Sequence, residues 1–231
     1  MKIVAFVPMR HHSARVPGKN YRMIAGKPLY HHILDTLLTV PEINEVVVDT
    51  DSPIIMEGLE KDYPTVKRLL RPENLRADDV PMNEILVYDT GCFPADLYIQ
   101  THSTNPMLKG ETISGAIKAL QEKSYAYDSL FSVTRIQKRL FDQLGRPINH
   151  NPNIMLRTQD LPPVYEENSC IFIFTREILM KRHTRTGDRP LMYEIDPLEA
   201  QDIDNDTEFT VTEMLMNLRK KESEGTAEKK N

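Results

Sequence analysis

Three cations cluster just after a short apolar run near the amino terminus. The segment reads Pro8-Met9-Arg10-His11-His12-Ser13-Ala14-Arg15-Val16-Pro17-Gly18-Lys19-Asn20. Arg10, Arg15 and Lys19 supply two planar guanidinium forks and one ammonium point charge. That set matches the oxygens of a nucleoside triphosphate. Ser13 and the loop's backbone N–H groups add neutral donors. Only Gly18 is present, so the segment is neither a GxGxxG turn nor a P-loop. A charge run is ordinarily a solvated face. This one follows a buried strand and contains a Pro-Gly turn, which favours phosphate binding.

A second group of chemical interest lies near the other end. Asp204 and Asp206 stand two residues apart before a helical pattern. Two carboxylates on a short loop suit Mg²⁺, which keeps several waters and takes few protein ligands. Asp206 has an alternative use as the cap of the following helix. Asp202 is a third acid nearby. The pairs His11-His12 and His31-His32 lack a second ligand set, so metal binding there is not expected.

These groups need a frame. IVAFVP (3–8), EVVVDT (45–50), DLYIQT (96–101), SLFSVT (129–134) and CIFIF (170–174) are near-continuous apolar runs. That pattern belongs to strands covered on both faces. Helix patterns occupy 27–40, 52–62, 80–90 and 111–123, with Ser52 and Pro53 reading as N-cap and first helical residue. A helix at about 176–183, a short PLMYEI strand and a helix over 207–219 follow. The alternation predicts a Rossmann-like, doubly wound α/β fold with a mostly parallel sheet. In such folds ligands bind at the carboxyl edge of the strands, where the Arg10–Lys19 loop begins.

Residues 135–168 break the rhythm with Pro, Asn and charge around apolar islands at Leu140-Phe141 and Ile154-Met155-Leu156. A long insertion of this kind is usually functional, and it is read as a dimerisation arm. One domain is expected over 1–220, followed by a charged, disordered tail over 221–231.

Composition narrows the options. The 231 residues are 40% hydrophobic, enough for one sizeable core. A net charge of −5 argues against a dedicated nucleic-acid binder. No apolar run approaches a membrane span, and the amino terminus lacks a signal-peptide pattern. Cys92 and Cys170 lie far apart and form no ligand spacing; both read as small buried hydrophobes. A cytoplasmic location is expected.

The order R-x-x-S-x-R-V-P-G-K-N over residues 10–20, then A-G-K-P-L over 25–29, resembles the signature of the CMP-sugar synthetases. These include the acylneuraminate and 3-deoxy-manno-octulosonate cytidylyltransferases. Val48-Asp49-Thr50-Asp51 is similar to the family's "STD" strand end. Arg71-Pro72-Glu73-Asn74-Leu75 with Asp78 resembles its "RP-x-x-L-x-x-D" segment. Leu97-Tyr98-Ile99-Gln100 resembles the strand whose Gln reaches toward the sugar. Arg157, Gln159-Asp160-Leu161-Pro162 and Asn168 resemble "R-Q-D-L-P…N-G-A-I-Y". Asp204-Asn205-Asp206-Thr207 is similar to "D-I-D-T-x-x-D". Two departures fall on the sugar side. Gln100-Thr101-His102-Ser103-Thr104-Asn105-Pro106 replaces Q-P-T-S-P, and Ser169 stands where the family has Gly.

The resemblance implies a homodimeric enzyme that transfers CMP from CTP to an acidic 2-keto sugar and releases pyrophosphate. It implies nucleotide contacts from Arg10, Ser13, Arg15, Lys19, Asn20, Arg71 and Asp78, with Arg10 and Lys19 nearest the chemistry. Gln100, Arg157, Gln159 and Asn168 are implied for the sugar, and Asp204 and Asp206 for Mg²⁺. Two alternatives stay open. One is a nucleotidyltransferase for another sugar or a sugar phosphate, although the usual G-G-x-G-x-R loop is missing. The other is a non-catalytic nucleotide-sugar binding protein.

Overall fold

A computed structural model describes residues 1–13 and 15–228. In chain order the elements are β1 (Ile3–Phe6), β2 (Met23–Ile24), β3 (Lys27–Pro28), α1 (Leu29–Leu38), β4 (Glu45–Thr50), α2 (Pro53–Asp62), β5 (Lys67–Leu70), α3 (Met82–Cys92), β6 (Leu97–Gln100), α4 (Gly110–Glu122), β7 (Ser129–Ile136), β8 (Val164–Phe174), α5 (Arg176–Arg182), β9 (Pro190–Glu194) and α6 (Asp206–Glu228). Seven strands form one sheet in the order β5-β4-β1-β6-β8-β7-β9, while β2 and β3 form a small hairpin.

The pairings of β1 with β4 and β6, of β4 with β5, and of β7 with β9 are parallel. β8 alone runs antiparallel, against both β6 and β7. The chain winds outward from β1 through β4 to β5, then returns to β6 on the other side of β1. The switch point between β1 and β6 opens a crevice at the strands' carboxyl ends.

Side-chain alternation explains the layers. Ile3 and Ala5 of β1 face α1, α2 and α4 through Ile33, Leu34, Ile55, Leu59, Ile113 and Ile117. Val4 and Phe6 face the other way, with Leu86 of α3 and Leu179 of α5. The edge strand β5 has no strong apolar signal because Lys67 and Arg68 face solvent. Ser52 caps α2 as its position suggests, accepting from the Ile55 N–H at 3.3 Å.

Two expectations need correction, the end of the last helix and the burial of Cys92. The last helix does not stop near Arg219 but continues to Glu228, so 221–228 is helical rather than disordered. Lys, Glu and Ala are strong helix formers, and the stretch has no proline. Residues 229–231 lie outside the described ones. The insertion is built as the tip of a β7–β8 hairpin, with Ile136 opposite Val164. A Phe141–Pro147 bridge closes a smaller turn within it. Cys170 is buried, but Cys92 at the end of α3 is exposed.

A buried charge cluster sits where β4 meets α3. The Arg71 Nε donates to both Asp49 oxygens at 3.1 and 3.2 Å, with both side chains almost fully enclosed. Asp89 lies beside them, fully buried. Neither of its oxygens receives a hydrogen bond. Burial and the Asp49 charge push the Asp89 carboxyl up to about 9, so it carries a proton beside Asp49. Two carboxyls, one proton and one guanidinium leave the cluster neutral, the arrangement a dry interior tolerates.

This protonation has a pH signature. Unfolded aspartate loses its proton near pH ~4, whereas folded Asp89 keeps it to about 9. Across that window the folded state holds more protons, so stability falls as pH rises. Asp89→Asn is uncharged at every pH. In urea denaturation its stability relative to the parent should improve steadily from about pH 4 to about pH 9. A difference that stays constant over that range would mean Asp89 is ionised in the fold.

Candidate active site

The crevice at the switch point is a cleft of about 580 Å³. Its walls come from the segments after β1, β5 and β6 and from the stretch before α6. Lining it are Arg10, Ser13, Arg15, Lys19 and Asn20, with Arg71, Asp78, His102, Asp202 and Asp204 opposite or beneath. A second hollow of about 560 Å³ lies at the other edge of the sheet, near Leu97 and Tyr127. Its cations Lys181 and Arg182 are both turned onto Asp188, so it offers no convergent charge.

Local chemistry shapes the phosphate loop. Gly18 has φ 67°, and a Cβ there would meet the Tyr21 ring at 2.7 Å. Ser13 Oγ accepts from the Val16 N–H at 3.4 Å, closing a turn. The His11 N–H donates to Asp51 at 2.7 Å, while its Nδ1 pairs with Ser52 Oγ at 2.8 Å. Asn20 is a strut rather than a free ligand. Its amide donates to the Arg10 carbonyl at 2.8 Å, and its oxygen accepts from Ser103 Oγ at 2.7 Å.

A small apolar core of Val16, Ile24, Leu29, Ile203 and Phe209 pins this loop against the segment before α6. Lys19 Nζ donates to the Ile203 carbonyl at 2.7 Å and lies 3.7 Å from Asp204. Arg15 pairs with Asp204 at 2.8 Å. Burial lowers the Lys19 pKa, against the pull of Asp202 and Asp204. Arg10 is held by Asp78, at 2.7 Å from its carboxylate. Asp78 therefore orients a cation instead of facing phosphate. Arg71 reaches the cleft with a buried Nη1 that has no partner.

Asp206 does not join Asp204. It opens α6 and pairs with Arg22 at 2.5 Å, and it does not cap the helix either. Asn205 does, accepting from the Glu208 N–H at 2.9 Å. The acids that face the cleft are Asp202 and Asp204, and the letters Asp-Ile-Asp themselves stand at 202–204. Residues two apart in an extended segment point the same way, whereas helix entry at 206 turns the next acid aside. Asp202 keeps one buried oxygen without a partner. Two carboxylates, one with an orphaned oxygen, fit an octahedral cation that retains waters. Among the described residues no cluster of three or more His, Cys, Asp or Glu could enclose a metal.

The residues expected at the sugar scatter. Gln100 is fully buried beneath the cleft, bonded to Thr101, His102 and Arg185. Arg157 sits on the arm, paired with Asp160 at 2.7 Å and largely exposed. Gln159 lines a separate depression with Arg135 and Gln137. Asn168 borders an adjoining hollow that shares Ser169, Asp202 and Asp204 with the cleft. Its side chain is consumed by a bulge. The oxygen accepts from Ser132 at 2.5 Å, and the amide donates to Thr134 at 2.9 Å. Ser169, at the bulge, has φ 57°, a conformation that glycine adopts without strain. Sequence reasoning passed over Arg185 and set Asp202 aside. Arg185 carries no motif letter, whereas Asp202 opens the Asp-Ile-Asp letters and lines the cleft.

A family profile described as Cytidylyltransferase matches residues 4–226. The chain is 30% identical over 233 residues to the CMP-N,N'-diacetyllegionaminic acid synthase of Legionella pneumophila, covering 94% of this chain and 97% of that protein. It is 26% identical over 219 residues to N-acylneuraminate cytidylyltransferase A of Danio rerio, covering 91% of this chain but only 50% of that longer protein. Among solved structures, a CMP:2-keto-3-deoxy-manno-octonic acid synthetase complexed with CTP superposes with a TM-score of 0.73 at 18% identity, covering 95% of this chain and 100% of that one. A 4-diphosphocytidyl-2C-methyl-D-erythritol synthase from Anaerococcus prevotii gives 0.68 at 13% identity, over 94% and 96%. Those two likenesses speak for the fold. With a family match spanning nearly its whole length, the chain belongs to the cytidylyltransferases.

Proposed function

We propose that this protein transfers CMP from CTP to an acidic 2-keto sugar of the nonulosonate type and releases pyrophosphate. The observation that carries the reading is the meeting of Arg10, Arg15 and Lys19 with Asp202 and Asp204 across one cleft. The sugar's anomeric oxygen forms a bond to the α-phosphorus, and the bond to the β-phosphate bridging oxygen breaks. Such a displacement needs in-line positioning and charge neutralisation more than covalent help. Arg10 and Arg15 are solvent-accessible forks for the departing phosphates. Lys19, fixed on the Ile203 carbonyl, places its charge at the junction of loop and acids. Asp202 and Asp204 would hold Mg²⁺. Bound there, the ion would offset phosphate charge and polarise a phosphoryl oxygen.

The arm is read as a homodimer interface. Phe141, Leu144, Ile148, Ile154, Met155 and Leu156 are all exposed on it, and exposed apolar patches mark partner sites. Arg157, close by, would serve the partner's sugar site. Among the described residues no helix is long and apolar enough to cross a membrane. The reading sets the protein to work in the cytoplasm, where CTP is made.

The first test is pyrophosphate release from CTP and Mg²⁺ over a panel of N,N'-diacetyllegionaminic, N-acetylneuraminic and 3-deoxy-manno-octulosonic acids, with ATP, GTP and UTP as controls. Release with CTP and a nonulosonate is expected, and Lys19→Ala should lower kcat/KM by roughly 10²-fold or more. Release with the octulosonate alone would move the substrate class. Silence without CTP binding would sink the reading.

Asp204→Ala should raise the Mg²⁺ concentration for half-maximal rate and cut turnover by about 10²-fold, whereas Asp206→Ala should stay within about twofold of the parent. Equal losses in both would put the metal elsewhere. For the arm, Met155→Glu should convert a dimer to a monomer in sedimentation equilibrium. A wild type that is monomeric at micromolar concentration would remove the arm's role.

A further inference from the structure

The segment after β6 carries a histidine where the resembling family has a shorter Gln-Pro-Thr-Ser-Pro stretch. His102 lines the cleft beside Ser103 and near Ser169. Behind it lies Gln100, fully buried, and behind Gln100 lies Arg185. Arg185 is largely enclosed, with its guanidinium 3.6 Å from the centre of the Phe172 ring. Among the described residues it forms a hydrogen bond to Gln100 but no ion pair. The Glu167 carboxylate acts on it from beyond ion-pair distance, and an enclosed cation held so loosely favours a further anion nearby.

The donor and acceptor inventory orders this row. A guanidinium can only donate, so the Gln100 oxygen must face Arg185. The Gln100 amide nitrogen then faces the Thr101 carbonyl at 3.0 Å and His102 Nε2 at 2.9 Å. An amide nitrogen also only donates, so His102 Nε2 must accept. The ring proton therefore sits on Nδ1. Nδ1 has no hydrogen-bond partner within the described protein and is not sealed from solvent.

The ring is also kept neutral. Burial first, then the charges of Arg185 and Lys19, push the His102 pKa down to about 4, with Asp204 opposing. A neutral N–H thus stands in the field of Arg185 and Lys19, on a cleft wall it shares with Ser103 and Ser169. We propose that the His102 Nδ1–H, aligned by Gln100 and backed by Arg185, seats the carboxylate of the acidic sugar. The substrate's anion adds to Glu167 as a counter-charge for Arg185. This rests on the activity proposed above and assigns the determinant of its acid specificity. His102 is a binding residue, while Gln100 and Arg185 are positioning residues. The family's Gln thereby acts here through a neighbour, because the longer loop puts His102 between it and the cleft.

The test uses the full-length protein, CTP and the acidic sugar it turns over best, together with that sugar's C1 amide as a competitor. His102→Leu should raise the sugar KM at least about tenfold and leave the CTP KM within about twofold, the loss expected for one hydrogen bond to a charged group. His102→Asn, whose amide nitrogen occupies the Nδ1 place, should recover to within about threefold of the parent. Arg185→Met should reduce the preference for acid over amide by about tenfold. Thermal melting checks that each variant folds, and the Asn and Met variants decide the matter if the Leu variant does not. An unchanged sugar KM, or an Asn variant no better than Leu, overturns the seat while the activity stands. A wild type that turns over no acidic sugar overturns the activity, and the seat with it.

Discussion

The site depends on one long-range clamp. Val16 packs on Ile203 and Phe209 in a small apolar core set apart from the two main ones. The Lys19 ammonium closes the clamp by donating to the Ile203 carbonyl. Apolar burial supplies the affinity between the segments. The charged hydrogen bond supplies their register. Without it the cations of one loop and the acids of the other would be separate surface groups. With it, Arg15 and Lys19 converge on Asp204, and the two ends of the chain make one cleft.

Charge placement follows a consistent rule across the molecule. Where water can reach, opposite charges hold one another loosely, as Arg10 does with Asp78 and Arg22 with Asp206. Such exposed pairs add little to stability and can be exchanged for ligand oxygens at small cost. Where water is excluded, each charge is balanced. Arg71 faces Asp49, and Asp89 beside them is protonated. That cluster carries the ends of β4 and β5 into the cleft wall, so this part of the cleft rests on a neutral base. Arg185 departs from the rule, forming no ion pair among the described residues.

The cleft wall at Ser169 is shaped by irregular backbone. The β7–β8 register slips between Phe131 and Val133. Asn168 ties the resulting bulge to Ser132 and Thr134, and Ser169 takes a left-handed turn. Bulges re-aim side chains next to ligand sites. Here the bulge lets one strand serve two ends, with Phe172 and Phe174 in the core and the hairpin tip extending outward as the arm.

Much of this was legible in the sequence. The strand runs, the capped helix at Ser52 and the cations after the first strand are local patterns, set by covalent geometry and side-chain periodicity. They led to the doubly wound sheet and to Arg10, Ser13, Arg15 and Lys19 at its carboxyl edge. Which partners those residues meet is not local. A linear pair of acids at 204 and 206 looked equivalent, but helix entry sends Asp206 to Arg22, and the extended backbone before it turns Asp202 to the cleft. Gln100 and Asn168 matched motif positions, yet burial and the bulge consume their polar atoms. Asp89 and His102 acquire their protonation states only from surroundings assembled out of distant segments. Composition and spacing determined which chemistry was available; the tertiary structure decided where each group points and how much water it keeps, because desolvation and hydrogen-bond direction exist only once the chain has packed.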